Sequence, residues 1–326
     1  MTYLLAEETF ASLNSIWTGQ KHNLNWSSIC VLPDWLRVWW QSFGGEAGLY
    51  LRSVRQGDKI IGIAPLMVQN ESATFVGSVA VSDYLDFVVT PGLERQFCSA
   101  LLNDLAQKNI NGLDLKPVRP DSIVVTHLAD IARERKCEVD CKSLDVSYEM
   151  ELPATYDEYL MALPVKQRHE LKRKLRRLHE AGSVSYRTIE DSKDVHGIMN
   201  TFLKLFAESR EDKATFMTTR MESFFRSVVD AMAGIGLLRF GILELNMLPV
   251  AMVLCFDYNN RVYLYNSGYN PDYKDLSVGL LSKVLCIKDS IERGRKTFDF
   301  LKGGETYKHH VGGRGLPLYS CYIKLR

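Results

Sequence analysis

The stretch that decides the fold is Thr297-Phe298-Asp299-Phe300-Leu301-Lys302-Gly303-Gly304-Glu305-Thr306-Tyr307-Lys308-His309-His310, near the end of the printed sequence. Aromatic and β-branched residues alternate with others up to Leu301, which predicts a strand buried on at least one face. The glycine pair then frees the backbone to turn sharply. Carboxylate, phenol, ammonium and imidazole groups crowd these few residues. A simple turn does not require so many proton donors and acceptors, so we expect chemistry here.

Length and composition bound the class of protein. A chain of 326 residues exceeds what one compact core usually covers, so two domains are expected. The 46% hydrophobic and 24% charged content is that of a folded soluble protein. A formal net charge of +1 implies no global attraction to nucleic acid. No signal-peptide pattern is visible after Met1, and polar residues interrupt the most apolar window, residues 235–256. We expect no transmembrane segment and a cytoplasmic location.

The cysteines do not form a recognisable framework. They are odd in number and scattered, and only Cys137 and Cys141 are close together. No second pair or nearby histidine completes a zinc-like set. We therefore expect buried, reduced thiols and no metal site. The seven are Cys30, Cys98, Cys137, Cys141, Cys255, Cys286 and Cys321.

The order of predicted elements is similar in the two halves. Each half has a helical lead-in, an antiparallel hairpin, a further strand, a helix and a short strand that carries an aspartate. Duplication of one α/β unit is the simple account. A boundary near Leu152-Pro153 divides the chain into predicted domains 1–150 and 151–326.

Periodicity predicts the elements of each half. The first half is expected to form a helix at 35–40, a hairpin over 49–67, strands at 73–81, 84–89 and 112–116, and helices at 93–107 and 122–136. The second half is expected to form helices at 156–163, 195–211, 221–233 and 278–293, a hairpin over 237–258, and strands at 184–189, 262–267, 296–301 and 318–325.

A strongly basic helix is predicted over residues 166–179. Leucines at helical spacing give it one packing stripe, and the remaining faces are rich in lysine and arginine. One interpretation is contact with phosphate, an anionic surface or RNA through Lys166 to Arg177. The alternative is a solvated helix face whose long side chains cover apolar surface.

Two further motifs carry both a functional and a structural interpretation. Ser277 is a good N-cap for a helix from residue 278, and free amides at such a helix start can hold a pyrophosphate. The alternative is an ordinary capped helix. Asp86, in a predicted strand, could orient an amine or act as a base, or could simply belong to a turn. Asp299 lies between two phenylalanines and is expected to face a cavity or a buried ion-pair partner, with Lys302 or Lys308 as candidates.

Taken together, the motifs resemble the acyltransferase family named after the cellulose-biosynthesis protein CelD. This family is a branch of the GNAT superfamily and is similar to the FemAB aminoacyl transferases. The resemblance rests on the opening stretch together with Ser277-Val278-Gly279. The remaining motifs follow in the family's order over nearly the whole chain: Gly62-Ile63-Ala64-Pro65-Leu66, Asp83-Tyr84-Leu85-Asp86, Leu152-Pro153, Pro249-Val250-Ala251 and Tyr265-Asn266-Ser267-Gly268-Tyr269.

The resemblance implies an α/β (α+β) fold of two tandem GNAT-like domains, each a mixed, mostly antiparallel sheet flanked by helices. It also implies transfer of an acyl group from acyl-CoA, acetyl-CoA or longer, to an amine or hydroxyl of a small molecule or glycan precursor. The chain departs from the family in having Val278 where proline is frequent and Gly304 where aspartate is usual. The matching positions are Asp86, Ser277, Gly279, Asp299, Gly303, Glu305, Tyr307 and Lys308.

The mechanism expected from these residues is direct transfer without an acyl-enzyme. Glu305 or Asp299 would take the acceptor proton, Tyr307 would protonate the leaving thiolate, and Lys308 would neutralise phosphate or oxyanion charge, with Asp86 as a further catalytic candidate. Ser277, Val278, Gly279 and Lys274 would hold the donor. Tyr265, Gly303 and Arg173 would contact substrate.

Two rival functions remain at this point. One is aminoacyl transfer from charged tRNA, as in the FemAB relatives, although residues 166–182 are too short for the long helical hairpin that those enzymes usually carry. The other is a non-catalytic module of a polysaccharide-assembly complex that docks through the basic helix. The acceptor, the acyl chain length and the oligomeric state are not specified by the sequence.

Overall fold

The computed structural model describes residues 3–19 and 23–325. The chain divides into two compact units. Unit 1 comprises Met1–Val146 with Leu316–Arg326, and unit 2 comprises Ser147–Gly315. The closing segment, which the sequence assigned to the second domain, is therefore grouped with unit 1. The domain boundary after residue 150 stays a prediction.

The helices and strands are numbered in chain order. Strands and helices of the first part are β1 (Leu4–Glu7), α1 (Phe10–Gly19), α2 (Pro33–Phe43), β2 (Gly48–Gln56), β3 (Lys59–Gln69), β4 (Ser72–Phe75), β5 (Val88–Val89), α3 (Glu94–Gln107), β6 (Gly112–Val118), α4 (Ala129–Glu134) and β7 (Glu138–Glu151). Those that follow are α5 (Tyr156–Ala162), α6 (Val165–Glu180), β8 (Val184–Ile189), α7 (Ser192–Glu208), α8 (Glu211–Phe216), α9 (Thr219–Gly234), β9 (Leu238–Leu245), β10 (Leu248–Tyr258), β11 (Arg261–Tyr269), α10 (Val278–Glu292), β12 (Thr297–Lys302), α11 (Thr306–His310) and β13 (Arg314–Lys324).

The sheet of unit 1 has the order β1-β2-β3-β4-β6-β13-β7, and β5 pairs with β3. Its β4–β6 pair is parallel, whereas β1–β2, β2–β3, β3–β4 and β6–β13 are antiparallel. The predicted hairpin and the predicted helix over 93–107 are confirmed as β2–β3 and α3. The strand predicted over residues 84–89 is wrong in extent, because only Val88 and Val89 pair. The long strand β7 was not predicted, since charged residues obscure its alternation.

The sheet of unit 2 starts with the last five residues of β7 and continues in the order β12-β11-β10-β9-β8. Only β11–β12 is parallel, and the other described pairs are antiparallel. Helix α10 packs on β9, β10 and β11, and α7 packs on β10 and β11. Each unit is thus a mixed, mostly antiparallel sheet with helices against it, which confirms the predicted architecture.

The core of unit 2 explains why α10 is held firmly. Apolar side chains from α10, among them Val284 and Ile287, pack with Val253, Val262 and Phe298 of the sheet. These side chains are fully buried. Burial of this kind contributes about 1.5–3 kcal/mol for each large aliphatic or aromatic side chain. The start of α10 is therefore fixed by packing over the rest of the helix, which matters for the site described below.

The cysteine prediction needs a correction. Cys141 of β7 and Cys321 of β13 form a disulfide, both within unit 1, at a sequence separation of 180. The sequence could not show this because the two strands are brought together only by the sheet. Cys30, Cys98, Cys255 and Cys286 are buried thiols outside the disulfide, as expected, and Cys137 is half-buried. In the described part of the chain, no helix has the length and hydropathy to cross a membrane.

Candidate active site

The site begins where two parallel strands of unit 2 part. The ladder between β11 and β12 has three register pairs and ends at Tyr263 and Asp299. Beyond that pair β11 runs on to Tyr269 and β12 runs on to Lys302. The side of β11 that faces β12 therefore loses its ladder partner, while β10 follows β11 to its end. The backbone groups on this side of β11 therefore need hydrogen-bond partners other than a strand.

A cleft of about 400 Å³ lies at this end of unit 2 and is called the cationic cleft here. It is formed by α6, α8, the end of β11, the start of α10 and the start of α11. Five of its side chains are cationic and one, Glu305, is acidic. Such a lining favours an anionic ligand. The lining residues are Lys174, Arg210, Lys213, Ser267, Tyr269, Lys274, Ser277, Val278, Gly279, Leu280, Lys283, Glu305, Thr306 and Tyr307.

The start of α10 forms one wall of the cationic cleft. Ser277 occupies the N-cap position but adopts a left-handed backbone with φ of 57° and makes no side-chain cap hydrogen bond. The predicted capping role of its hydroxyl is therefore wrong. Its carbonyl accepts hydrogen bonds from the amides of Leu280 and Leu281. The earlier amides of the first turn, those of Val278 and Gly279, have no intrahelical acceptor by helix geometry and border the cleft.

Gly279 is required by the tight fit of this wall. A Cβ atom placed there would lie 2.8 Å from the ring of Tyr269. The absence of a side chain lets the helix start approach the end of β11. The glycine that the sequence assigned to donor binding thus has a definite steric reason to be there.

Unit 1 offers a contrast at the corresponding helix. Helix α3 begins at Glu94, and the Glu94 carboxylate accepts a hydrogen bond of 3.0 Å from the amide of Gly92. An acidic side chain therefore occupies the helix start that follows the hairpin in unit 1. Helix α10 has no acidic residue in its first turn. Of the two helix starts, only that of α10 is suited to an anionic ligand.

Glu305 stands just before α11 and is held by Lys308. The Lys308 Nζ lies 3.0 Å from Glu305 Oε2. Burial pushes the pKa of Glu305 upward, but the nearby Lys308 ammonium and its hydrogen bond outweigh burial, and the pKa is held below its ordinary value. The carboxylate is ionised at neutral pH. Gly303 supports this arrangement with φ of 114°, and a Cβ on it would lie 2.6 Å from Glu305 Oε2.

Lys308 is buried and does not line the cationic cleft. Its Nζ donates hydrogen bonds to the carbonyl oxygens of Leu301, at 3.1 Å, and Lys302, at 2.7 Å. Lys308 therefore joins the end of β12 to α11 and orients Glu305. The structure gives it a positioning place, where the sequence suggested direct contact with phosphate or oxyanion.

Tyr307 lines the cleft, as the sequence predicted, but its hydroxyl is a poor acid. Burial raises the pKa of Tyr307 well above its ordinary value, and the nearby Glu305 carboxylate adds to the effect. Its ring lies 4.9 Å from the Nζ of Lys283. The face of the Tyr307 ring thus makes a favourable cation–π contact with the Lys283 ammonium.

Two lysines of the cleft were not singled out by the sequence. Lys283 is almost fully buried and donates a hydrogen bond of 2.7 Å to the Gly279 carbonyl. Lys213 donates to the Ser267 carbonyl at 2.5 Å. Burial lowers the pKa of Lys283 to about 7 and that of Lys213 to about 8. The available signal for Lys283 was a lysine in the mostly apolar run 278–287, whereas Lys213 follows charged residues and looks like solvated surface.

Asp299 has no place in the cleft lining. It is fully buried, and its carboxylate lies 2.9 Å from Arg261 Nη1 and accepts a hydrogen bond of 2.8 Å from the Leu301 amide. Leu301 itself has φ of 59° at a register shift between β12 and β7. Asp299 therefore stabilises the irregular end of β12. Its prediction as a proton acceptor finds no support in this environment.

The remaining predicted site residues lie elsewhere. Asp86 belongs to unit 1, where it accepts hydrogen bonds from the amides of Phe87 and Ile123; burial raises its pKa to about 7. Tyr265 packs between Phe225 and Phe256. Arg173 is exposed and pairs with Glu170. None of the three lines the cationic cleft. Lys174, the residue next to Arg173, does line it.

Comparison with known proteins agrees with this geometry. Residues 165–309 match the family model described as an acetyltransferase (GNAT) domain. The match covers the whole cationic cleft. It is to the GNAT domain in general, and the CelD-like branch stays a prediction. No curated protein matches the chain in a sequence search.

Solved structures show the same fold over both units. FemX superposes with a TM-score of 0.67 at 12% identity, covering 98% of this chain and 96% of FemX. A tandem GNAT protein from the clavulanic acid biosynthesis pathway gives 0.51 at 10% identity, covering 100% and 99%. The C-terminal domain of a putative lysylphosphatidylglycerol synthetase from Agrobacterium fabrum gives 0.56 at 12%, covering 86% and 84%. At such identities the likeness shows the fold, which is that of two tandem GNAT-like domains.

Proposed function

We propose that this protein is an acyltransferase that takes an acyl group from acyl-CoA and passes it directly to an amine or hydroxyl. The observation that carries the proposal is the cationic cleft, where the start of α10, five cationic side chains and an ionised Glu305 come together in the region matched by the GNAT domain model.

Donor binding would use the charge of the cleft. The pyrophosphate of acyl-CoA would lie at the amides of Val278 and Gly279, since a helix start offers free donors and a positive dipole end. Lys274 and Arg210 would add charge-assisted contacts. Arg210 pairs with Asp212, 2.8 Å away, and this contact constrains its guanidinium.

The chemistry needs a proton acceptor and charge stabilisation near the carbonyl. Attack by a neutral amine on a thioester produces a strongly acidic ammonium centre in the tetrahedral intermediate, and even a weakly basic carboxylate can remove its proton. Glu305 meets this requirement because Lys308 keeps it ionised. The surrounding ammonium groups favour the oxyanion that forms at the same time. In this proposal Asp299 serves the structure of β12 and takes no part in proton transfer.

A second candidate is aminoacyl transfer from charged tRNA. The observation that favours it is the basic face of α6. Lys174 of this helix lines the cationic cleft, and Lys166, Lys172 and Arg177 lie on its exposed surface. A polynucleotide whose acyl end enters the cleft would find further cations along the helix.

Ligand-dependent melting separates these functions. Acetyl-CoA, a long-chain acyl-CoA and RNA are added in turn at about 100 times their Kd, where binding to the folded state contributes about 2.7 kcal/mol and raises the melting temperature by several degrees. Stabilisation by acyl-CoA supports the first function, stabilisation by RNA alone supports the second, and no response to either overturns both in favour of a non-catalytic module.

Matched variants locate the binding site. Lys274→Ala removes a cation from the cleft, whereas Lys172→Ala removes an exposed cation from α6 outside the cleft lining. For a CoA donor, Lys274→Ala weakens the melting shift and Lys172→Ala leaves it unchanged. For an RNA donor both substitutions weaken it, and the response falls with added salt.

A further inference from the structure

Lys283 occupies an unusual position for a lysine. It lies one turn into α10, between Ser282 and Val284, where the side chains are packed into the core, and only 8% of its surface is exposed. Its Nζ donates to the Gly279 carbonyl and sits over the Tyr307 ring. Within the described residues, no carboxylate lies within ion-pair distance of this Nζ. A lysine placed in a cleft with so little exposure and no carboxylate at ion-pair distance is costly to the fold and calls for a reason.

The charges around Lys283 set its protonation. Burial lowers its pKa to about 7, so the ammonium and the amine are both populated near neutral pH. Such a group can give up a proton readily and regain it from water. The charged and titratable groups that face it are Lys213 and Lys308, which lower the pKa, Glu305 and Cys255, which raise it, and the ring of Tyr307.

The leaving group of the proposed reaction needs a proton source of this kind. A thiolate expelled from acyl-CoA is close in basicity to a cysteine thiolate. Tyr307, the acid suggested by the sequence, is poorly matched to this thiolate, because burial raises the pKa of the phenol further above that of the thiol. Lys283 borders the same space, next to both Tyr307 and the start of α10.

We infer that Lys283 is the catalytic acid of this site, lying against the acyl sulfur and delivering a proton to it as the carbon–sulfur bond breaks. The inference rests on the proposed function. Tyr307 becomes a positioning residue, whose ring holds the ammonium in place. The sequence alone had given the role of acid to Tyr307 and no role to Lys283.

The step balances without a further reactant. The acceptor nitrogen or oxygen bonds to the carbonyl carbon, and its proton goes to Glu305. The oxyanion pair then re-forms the carbonyl, the carbon–sulfur pair goes to sulfur, and one Nζ proton of Lys283 follows it to give the free thiol. Exchange with water returns a proton to Lys283 and removes one from Glu305. No group is oxidised or reduced.

The first test needs no turnover. Free coenzyme A is bound to the wild-type protein and to Lys283→Met and Lys283→Arg, and ionisation of its thiol is followed by ultraviolet absorbance against pH. A cation against the sulfur makes the thiol ionise about tenfold more readily. We expect the full effect in Lys283→Arg, whose cation persists at every pH, a smaller effect in the wild type, whose ammonium is partly lost near neutral pH, and no effect in Lys283→Met. Equal thiol ionisation in all three bound proteins would overturn the inference.

The second test measures proton delivery. Thiol release from acetyl-CoA is followed with hydroxylamine as the acceptor. Lys283→Met and Lys283→Arg should both lose about 100-fold in kcat, since Arg keeps the charge but does not give up its proton. Full activity in Lys283→Arg would assign a purely electrostatic role and overturn the acid assignment. Lys288→Met is the matched control, because Lys288 lies on the same helix outside the cleft lining, is partly exposed and pairs with Glu292.

Failures of the two proposals are distinguishable. A wild-type protein that shows no melting shift with coenzyme A overturns the donor assignment and the role of Lys283 with it. A wild-type protein that binds coenzyme A, with variants that bind equally and release thiol at the wild-type rate, overturns the role of Lys283 alone. Melting curves of the variants without ligand report any loss of folding. The thiol titration is independent of such a loss, because it follows only the coenzyme A that is bound to folded protein.

Discussion

Lys308 holds Glu305 at 3.0 Å while its ammonium also donates to two carbonyl oxygens at the end of β12. One buried side chain therefore fixes both the backbone that leaves the sheet and the carboxylate that enters the cationic cleft. The ionised state of Glu305 therefore depends on the position of Lys308, which is fixed by the end of β12.

Replacing Lys308 by methionine should destabilise unit 2 and alter the acid limb of activity. The change leaves two carbonyl oxygens without their donor, at about 1–3 kcal/mol each. It also removes the main influence that lowers the pKa of Glu305, so the rise of activity with pH should move to higher pH. Denaturant unfolding and a pH–rate profile measure the two effects. An unchanged acid limb would show that Lys308 does not set the protonation of Glu305.

Replacing Glu305 by glutamine should reduce kcat by about 100-fold or more, because the proton acceptor is lost. The folded pKa of Glu305 is below its unfolded value, so its ionisation stabilises the fold above the unfolded pKa, and this contribution disappears as the pH falls through the folded pKa. At neutral pH the variant loses this stabilising contribution to the free energy of unfolding. The loss is small, because the carboxylate is partly exposed and solvent screens its interaction with Lys308. Turnover and melting are measured together. Wild-type turnover in this variant would remove Glu305 from the mechanism.

Replacing Gly279 by alanine should weaken donor binding about tenfold, since the added methyl group meets the Tyr269 ring and must displace the wall of the cleft. Gly197→Ala is the control. Gly197 lies within α7, where an added Cβ would have no atom within 4 Å, and alanine there should stabilise the helix by about 0.5–1 kcal/mol. Calorimetric titration with acetyl-CoA reports the affinity. Equal affinities for both variants would contradict the assignment of the α10 start to the donor.

Replacing Asp299 by asparagine should act on stability and leave chemistry in the folded fraction intact. Removal of one partner from a buried ion pair costs about 3–5 kcal/mol. We expect a loss at the lower end of this range, because Arg261 is partly exposed and also pairs with Glu149. Urea unfolding measures the loss, and kcat per folded molecule measures the chemistry. A stable variant with a large fall in kcat would restore Asp299 as a catalytic candidate.

The sequence predicted the elements well where periodicity was clear. The hairpin β9–β10 and helix α10 follow from alternating and helical spacing. It also placed Ser277, Glu305 and Tyr307 in one region, because a strand end and a helix start are both marked by local residues. It missed α11, since a helix of five residues after two glycines is too short to show a repeated helical spacing.

Other parts of the site depend on contacts distant in sequence. Lys213 reaches the cleft because α7, which contacts α8, packs on β11, and a charged run on a short helix gives no sign of that. Asp86 looked catalytic because a strand was expected around it, but its carboxylate instead accepts amide hydrogen bonds in an irregular segment. Desolvation decides which ionisable groups change their chemistry, and desolvation is a property of packing.

The bond between Cys141 and Cys321 encloses residues 147–315 in one covalent ring. A protease that cuts once anywhere in that segment would open the ring without releasing a fragment. The nicked chain would run as a single species on a denaturing gel until a thiol reductant separated its two pieces. Unit 2 would thus remain tethered at both ends after damage that would sever an ordinary linear chain.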